Sequence, residues 1–140
     1  MFTLDSRLAD DSRILGDFPL SRLLLMRDAQ YPWFVLVPRR PGVSEWYQLD
    51  EPDREQLFRE SLELGEQLMA AFAGDKLNIA ALGNLVPQLH VHHIVRYRND
   101  PAWPGPVWGA GPMRDYGDEG LARTLSCFAD CRLTGFEPLK

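Results

Sequence analysis

Apolar residues along this chain follow two rhythms. At 22 to 28, "RLLLMRD", and at 33 to 38, "WFVLVP", they run almost unbroken and are rich in Leu and Val, with "AQYP" between them. Short runs of this kind, punctuated by Pro32 and Pro38, predict two strands joined as a hairpin. From Asp50 the rhythm changes. In "LDEPDREQLFRESLELGEQLMAAFAG" the residues Leu57, Ser61, Leu64, Leu68 and Ala71/Phe72 recur at helical spacing. Asp50 suits the N-cap, Pro52 the first turn, and the early acidic residues the positive end of the helix. Gly74 is placed to close it.

Beyond the helix, "KLNIAAL" and "QLHVHHIVRY" read as two further extended segments, joined through Gly83-Asn84-Leu85-Val86-Pro87. The segment "NDPAWPGPVWGAGP" carries too many prolines for a helix or a central strand. Asp118 to Leu133 reads as a second helix. Ahead of the first hairpin, "LDSRLADDSRILGDFPL" is mixed, a short helix or edge strand followed by a loop at Gly16 and Pro19. The expectation is an α+β fold, with an antiparallel sheet of about five strands, one long helix and a C-terminal helix. A chain of 140 residues fits one domain spanning 1–140.

Composition narrows the function classes. With 45% apolar and 25% charged residues the chain can bury a core, and no internal repeat competes with that reading. A net charge of −5 without a Lys/Arg-rich run argues against binding of polymeric nucleic acid. The start lacks a signal-peptide pattern and no long apolar run could span a bilayer, so a cytoplasmic protein that does not enter membranes is expected. Cys127 and Cys131 are expected to be buried reduced thiols on one helix face, because two ligands fall short of the four that zinc typically takes.

All three histidines lie within "QLHVHHIV", residues 88 to 95. Side chains of a strand alternate faces, so Gln88, His90, His92 and Ile94 point one way and Leu89, Val91, His93 and Val95 the other. His93 is then expected to pack or to donate to a backbone carbonyl. The His90/His92 pair has three readings. Imidazoles at i and i+2 can chelate a metal ion, although no Cys, Asp or Glu stands in register to complete the shell. They can fill an exposed sheet face. Or they can work as nucleophile and acid/base group near neutral pH, one attacking phosphorus while the other serves the leaving group.

The stretch "VPQLHVHHIV" resembles the signature of the histidine triad (HIT) family, in which three histidines alternate with apolar residues after a frequent Val-Pro. "YPWFVLVPRR" resembles an early strand of that family, and "LNIAALGNLVPQ" a shortened form of its Asn-rich lead-in. The resemblance covers about residues 20 to 108. It implies that His90 is the nucleophile attacking the α-phosphorus of a nucleotide and that His92 contacts the phosphate or the leaving oxygen. Asn84 stands where many members contact phosphate, and Asn78 on the preceding strand where it faces a similar pocket. Gln88 takes the place of the first histidine. It keeps the backbone carbonyl that sets the nucleophile's tautomer and loses a titratable side chain. Trp103 corresponds to a Trp-Pro segment that in some members reaches the partner's active site across a dimer interface, and the resemblance implies a homodimer with a continuous sheet.

The implied activity is hydrolysis or transfer of a nucleoside monophosphate from a phosphoanhydride or phosphoramidate. No cofactor or metal is expected in the attacking step, although a divalent ion carried by a polyphosphate substrate is compatible with it. Two rivals stay open: a nucleotide-binding protein weakened in turnover, and a metal-binding protein.

Overall fold

The computed structural model describes residues 1–140. Its elements run α1 (Ser6–Asp10), β1 (Ser12–Asp17), β2 (Ser21–Met26), β3 (Trp33–Pro38), α2 (Glu51–Phe72), β4 (Lys76–Ala80), β5 (Val91–Arg96), α3 (Asp118–Ala129) and β6 (Glu137–Pro138). The sheet is antiparallel throughout, in the order β4-β5-β3-β2-β1-β6. This is the expected α+β architecture. The sixth strand is a two-residue pairing of the C-terminal segment on β1, beside Gly16 and Asp17, too short to carry a periodic signal.

The unbroken apolar runs of β2 and β3 reflect burial on both faces. Leu23, Leu25, Phe34, Leu36, Val91 and Val95 pack with Leu57, Leu64 and Leu68 of α2 in one cluster. The alternate residues Leu24, Met26, Trp33, Val35, Val37 and Ile94 pack with Leu8 and Val107 in the second. Strand alternation thus sorts the sequence into a face under α2 and a face under the N-terminal and Trp-containing segments. Leu57, Leu64 and Leu68 are fully buried, each contributing about 1.5–3 kcal/mol by removal from water.

The helix α2 begins as expected, with the Asp50 side chain accepting the Asp53 N–H and Pro in the first turn. Its stripe includes Glu60, a charged residue on the buried face. The carboxylate accepts the N–H groups of Leu20 at 2.8 Å and Ser21 at 3.0 Å, which ties the helix to the start of β2. The end differs from the expectation. Ala73, not Gly74, adopts the left-handed conformation (φ 50°), and the Gly74 N–H bonds the Met69 carbonyl. Gly74 is needed for space instead: a Cβ there would lie 2.3 Å from Val95 Cγ1.

The second helix is shorter than expected and stops at Ala129. Beyond it the Arg132 N–H donates to Gln67 Oε1 at 2.9 Å and the Thr134 N–H donates to the Glu63 carboxylate. Side chains of α2 thus satisfy backbone donors of the segment that follows the helix. Cys131 lies past the helix end. Both thiols are free and half-buried, and burial, with Asp130 and Cys127 adding, pushes Cys131 up to about 11.

Candidate active site

The pairing of β5 with β3 starts at Val91, which lies opposite Leu36, so His90 sits just ahead of the ladder and His92 within it, opposite Val35. Their rings meet edge to face with centroids 4.9 Å apart. They share a cavity of about 380 Å³ walled by Leu8, Met26, Trp33 and Trp108 and by the loop from Leu82 to Val86. Asp11 is the one charged side chain on its lining. A volume of this order is typical of small-ligand sites. A larger cavity of about 520 Å³ lies on the other side of the sheet, between α3, β1 and the C-terminal segment, and contains neither histidine pair nor any acid/base constellation.

Three hydrogen bonds define the state of the histidines. His90 Nδ1 lies 2.7 Å from the Gln88 carbonyl; a carbonyl only accepts, so Nδ1 carries the proton and Nε2 keeps its lone pair. No protein group occupies that Nε2. His92 Nδ1 lies 2.9 Å from the indole Nε1 of Trp33, which donates to it, and His92 Nε2 lies 3.2 Å from the Leu82 carbonyl. His92 therefore carries its proton on Nε2. Burial, then the neighbouring His90, lowers its pKa from 6.5 to about 4, the Leu82 carbonyl acting in the opposite direction. It is neutral at physiological pH. The pair thus presents one bare nitrogen and one N–H, the complement of a nucleophile and a hydrogen-bond donor.

Two small features hold this geometry. At Gly83, a Cβ would come within 2.7 Å of the Val86 carbonyl oxygen and 3.1 Å of His90 Cε1. Only glycine lets the loop pass this close to the imidazole. His93 is on the α2 face, as alternation requires, with Nδ1 3.1 Å from the Val91 carbonyl and Nε2 2.7 Å from Ser61 Oγ. The carbonyl accepts from Nδ1, so Nε2 accepts the Ser61 hydroxyl proton. Burial lowers the pKa of His93 to about 4.

Of the residues singled out in the sequence, the structure brings His90, His92 and Asn84 to one cavity. Gln88 contributes its carbonyl, but its side chain turns away. The amide oxygen accepts the Asp5 N–H at 2.8 Å and the amide nitrogen donates to the Thr3 carbonyl at 2.8 Å, because residues 88 to 90 precede the ladder and an N-terminal backbone segment lies alongside. Asn78 is also engaged elsewhere, its side-chain oxygen accepting from Arg96 Nη1 at 2.8 Å. Trp103 lies over the same guanidinium at 5.8 Å and is not on the lining of its own chain's cavity. Arg96 itself forms a bidentate pair with Asp100, both side chains 2% exposed. Burial acts to raise the Asp100 carboxyl, but Arg96 and the Tyr97 N–H outweigh it and hold the pKa below the usual value.

Trp33 and Trp108 are site residues that the pattern of apolar positions concealed. Both read as packing, and only the need of a buried indole N–H for an acceptor singles out Trp33. Trp108 packs edge to face on His92 at 4.9 Å. No group of three or more His, Cys, Asp or Glu side chains is arranged to hold a metal ion, which leaves the His90/His92 pair short of a shell of about four ligands. No helix is long and apolar enough to cross a membrane.

Comparison with known proteins places this geometry in a family. The HIT domain profile matches residues 7–99. A crystal structure of a histidine triad protein from Bradyrhizobium japonicum is 45% identical, with a TM-score of 0.90 over 93% of this chain and 97% of that one. One from Marinobacter aquaeolei is 48% identical, with a TM-score of 0.87 over 94% and 99%. A histidine triad nucleotide-binding protein from Sulfolobus tokodaii, 13% identical, shares the fold with a TM-score of 0.63 over 86% and 83%. No functionally curated protein is significantly similar. The chain belongs to the HIT-domain family.

Proposed function

We propose that this protein binds a nucleotide in the histidine cavity and hydrolyses or transfers its nucleoside monophosphate from a phosphoanhydride or phosphoramidate, through a nucleotidyl intermediate on His90. The observation that carries this reading is the 2.7 Å bond from His90 Nδ1 to the Gln88 carbonyl, which leaves Nε2 bare and facing the cavity. In the first step His90 Nε2 attacks the α-phosphorus, a P–N bond forms and the leaving group departs with its electron pair. In the second, water attacks phosphorus, the P–N electron pair returns to His90 Nε2, and the proton of the water passes to solvent. His92 directs its Nε2–H to a phosphoryl or leaving oxygen, which takes the place of the Leu82 carbonyl as its acceptor. Asn84, exposed on the loop, holds phosphate oxygens, and the apolar wall formed by Leu8 and Met26 receives the nucleoside.

The chain works as one domain over 1–140, as a cytoplasmic homodimer. β4 ends the sheet, and Ile79 on it is 46% exposed, which supports two-fold pairing along that edge. Trp103 lies beside Arg96, which bonds Asn78 of β4. This nearness to the β4 edge supports a reach toward a partner's cavity once two chains pair there. Light scattering coupled to size exclusion tests the dimer, and a monomer at micromolar concentration refutes it.

A second reading, a binding protein weakened in turnover, draws on the Gln88 side chain being committed to Thr3 and Asp5, which leaves the cavity without a third titratable imidazole. Intact-protein mass spectrometry after brief mixing with an adenosine phosphoramidate or a dinucleoside polyphosphate separates the two. An adenylylated species and AMP release, both lost in His90→Ala, support catalysis. Nucleotide binding with neither species supports the second reading.

A further inference from the structure

We infer that Trp33 is a positioning residue that holds His92 as a neutral hydrogen-bond donor, so that the site favours nucleotide substrates whose leaving group departs as an anion, the phosphoanhydrides, over those that release an amine. This rests on the catalytic reading above and narrows its substrate class.

An indole N–H has a proton to give and no lone pair to receive one. At 2.9 Å from His92 Nδ1, it assigns that nitrogen the acceptor role. Protonating His92 would set two N–H groups against each other in a site where the imidazole is 4% exposed. The ring has little freedom to turn away from this arrangement, with Trp33 at 5.8 Å on one side and Trp108 at 4.9 Å on another, the two indoles themselves edge to face at 5.7 Å. The titratable groups facing it are few. His90 lies beside it, His93 is on the opposite face of β5, and Asp11 stands on the cavity lining. None supplies a carboxylate in hydrogen-bond contact that would favour an imidazolium. The depression of its pKa to about 4 agrees with the geometry.

The consequence falls on the leaving group. As His90 Nε2 bonds to phosphorus, the bond from phosphorus to the leaving atom breaks and its electron pair goes with that atom. A phosphate oxygen bears the resulting charge as a stable anion, and a hydrogen bond from the His92 Nε2–H suffices. An amine nitrogen must gain a proton before it leaves. A neutral imidazole N–H is too weak an acid to give one, and His90 is committed as nucleophile. A positioned general acid is worth about 10²–10⁴-fold, so amine release lacks that factor here.

The test compares kcat/KM of the wild-type protein for diadenosine tetraphosphate and for an adenosine phosphoramidate, with the same pair measured in Trp33→Phe across pH 5 to 8. The anhydride is expected to lead by about 10²-fold or more. Trp33→Phe is expected to narrow that ratio at least tenfold and to add an acid-dependent limb to phosphoramidate release, which a purely structural defect would not do. Because Trp33 is buried and the variant can fail to fold, nitrogen NMR of wild-type His92 is the second measurement. A bare Nδ1 and protonated Nε2 at pH 7 are expected. A Nδ1–H tautomer or an imidazolium overturns the inference, as does phosphoramidate turnover within tenfold of the anhydride. Failure to release nucleotide from either substrate while binding it refutes the catalytic reading itself, and the leaving-group preference falls with it.

Discussion

Acidification from pH 7 to pH 5 should destabilise this protein through two buried imidazoles. His92 and His93 are 4% and 0% exposed, and each has its pKa lowered from 6.5 to about 4, chiefly by burial. The unfolded chain takes up protons as pH falls through about 6.5, whereas the folded chain resists until about 4, so stability is lost across that window and no further loss arises from these groups below it. Linkage gives about 2 kcal/mol per histidine between pH 7 and pH 5, or about 4 kcal/mol for both. That is a large part of the 5–15 kcal/mol typical of a domain. Urea denaturation at half-unit pH intervals measures it. The chosen window lies above most carboxylate titrations, so acidic residues contribute little. His92→Gln should remove about half of the pH dependence while leaving the α2 face intact. A stability that stays level from pH 7 to pH 5, or a slope that His92→Gln leaves unaltered, would refute the assignment of these imidazoles as buried and neutral.

Three further outcomes are expected. Gly83→Ala should lower nucleotide release about 10²-fold with little change in Tm, because its Cβ meets the Val86 carbonyl at 2.7 Å and His90 Cε1 at 3.1 Å, displacing the attacking nitrogen. Ala73→Gly should stabilise the fold by up to about 1 kcal/mol in urea denaturation, since an alanine now holds the left-handed position after α2. Gln88→Ala should cost about 0.5–1.5 kcal/mol by releasing the Thr3 carbonyl and Asp5 N–H to water; hydrogen exchange at Asp5 should rise well before exchange in β3.

Much of the scaffold was legible because burial imposes a period. The runs 22 to 28 and 33 to 38 became β2 and β3, covered on both faces, and the Leu57, Leu64, Leu68 stripe became the buried face of α2. The histidines were legible because alternation alone separates His90 and His92 from His93. What escaped was set by contacts between segments far apart in the chain. Nothing local marks Gln88 as a partner of Thr3 and Asp5, Asn78 as a partner of Arg96, or Trp33 as the donor to His92, 59 residues away. The stop of α3 at Ala129, short of the expected Leu133, has the same origin, since the Arg132 N–H is taken by Gln67 of α2.

The Arg96–Asp100 pair has a consequence for how such chains diverge. Both side chains are buried and the guanidinium lies against the rings of Trp103 and Tyr31, with Asn78 and the Gly105 carbonyl sharing its protons. Losing one charge strands the other and costs about 3–5 kcal/mol, whereas an apolar pair of matching volume can be tolerated. Single changes at either position therefore face a barrier that a joint change avoids. Among relatives, positions 96 and 100 are expected to be inherited as a unit, with Asn78 free to vary only where both have been replaced.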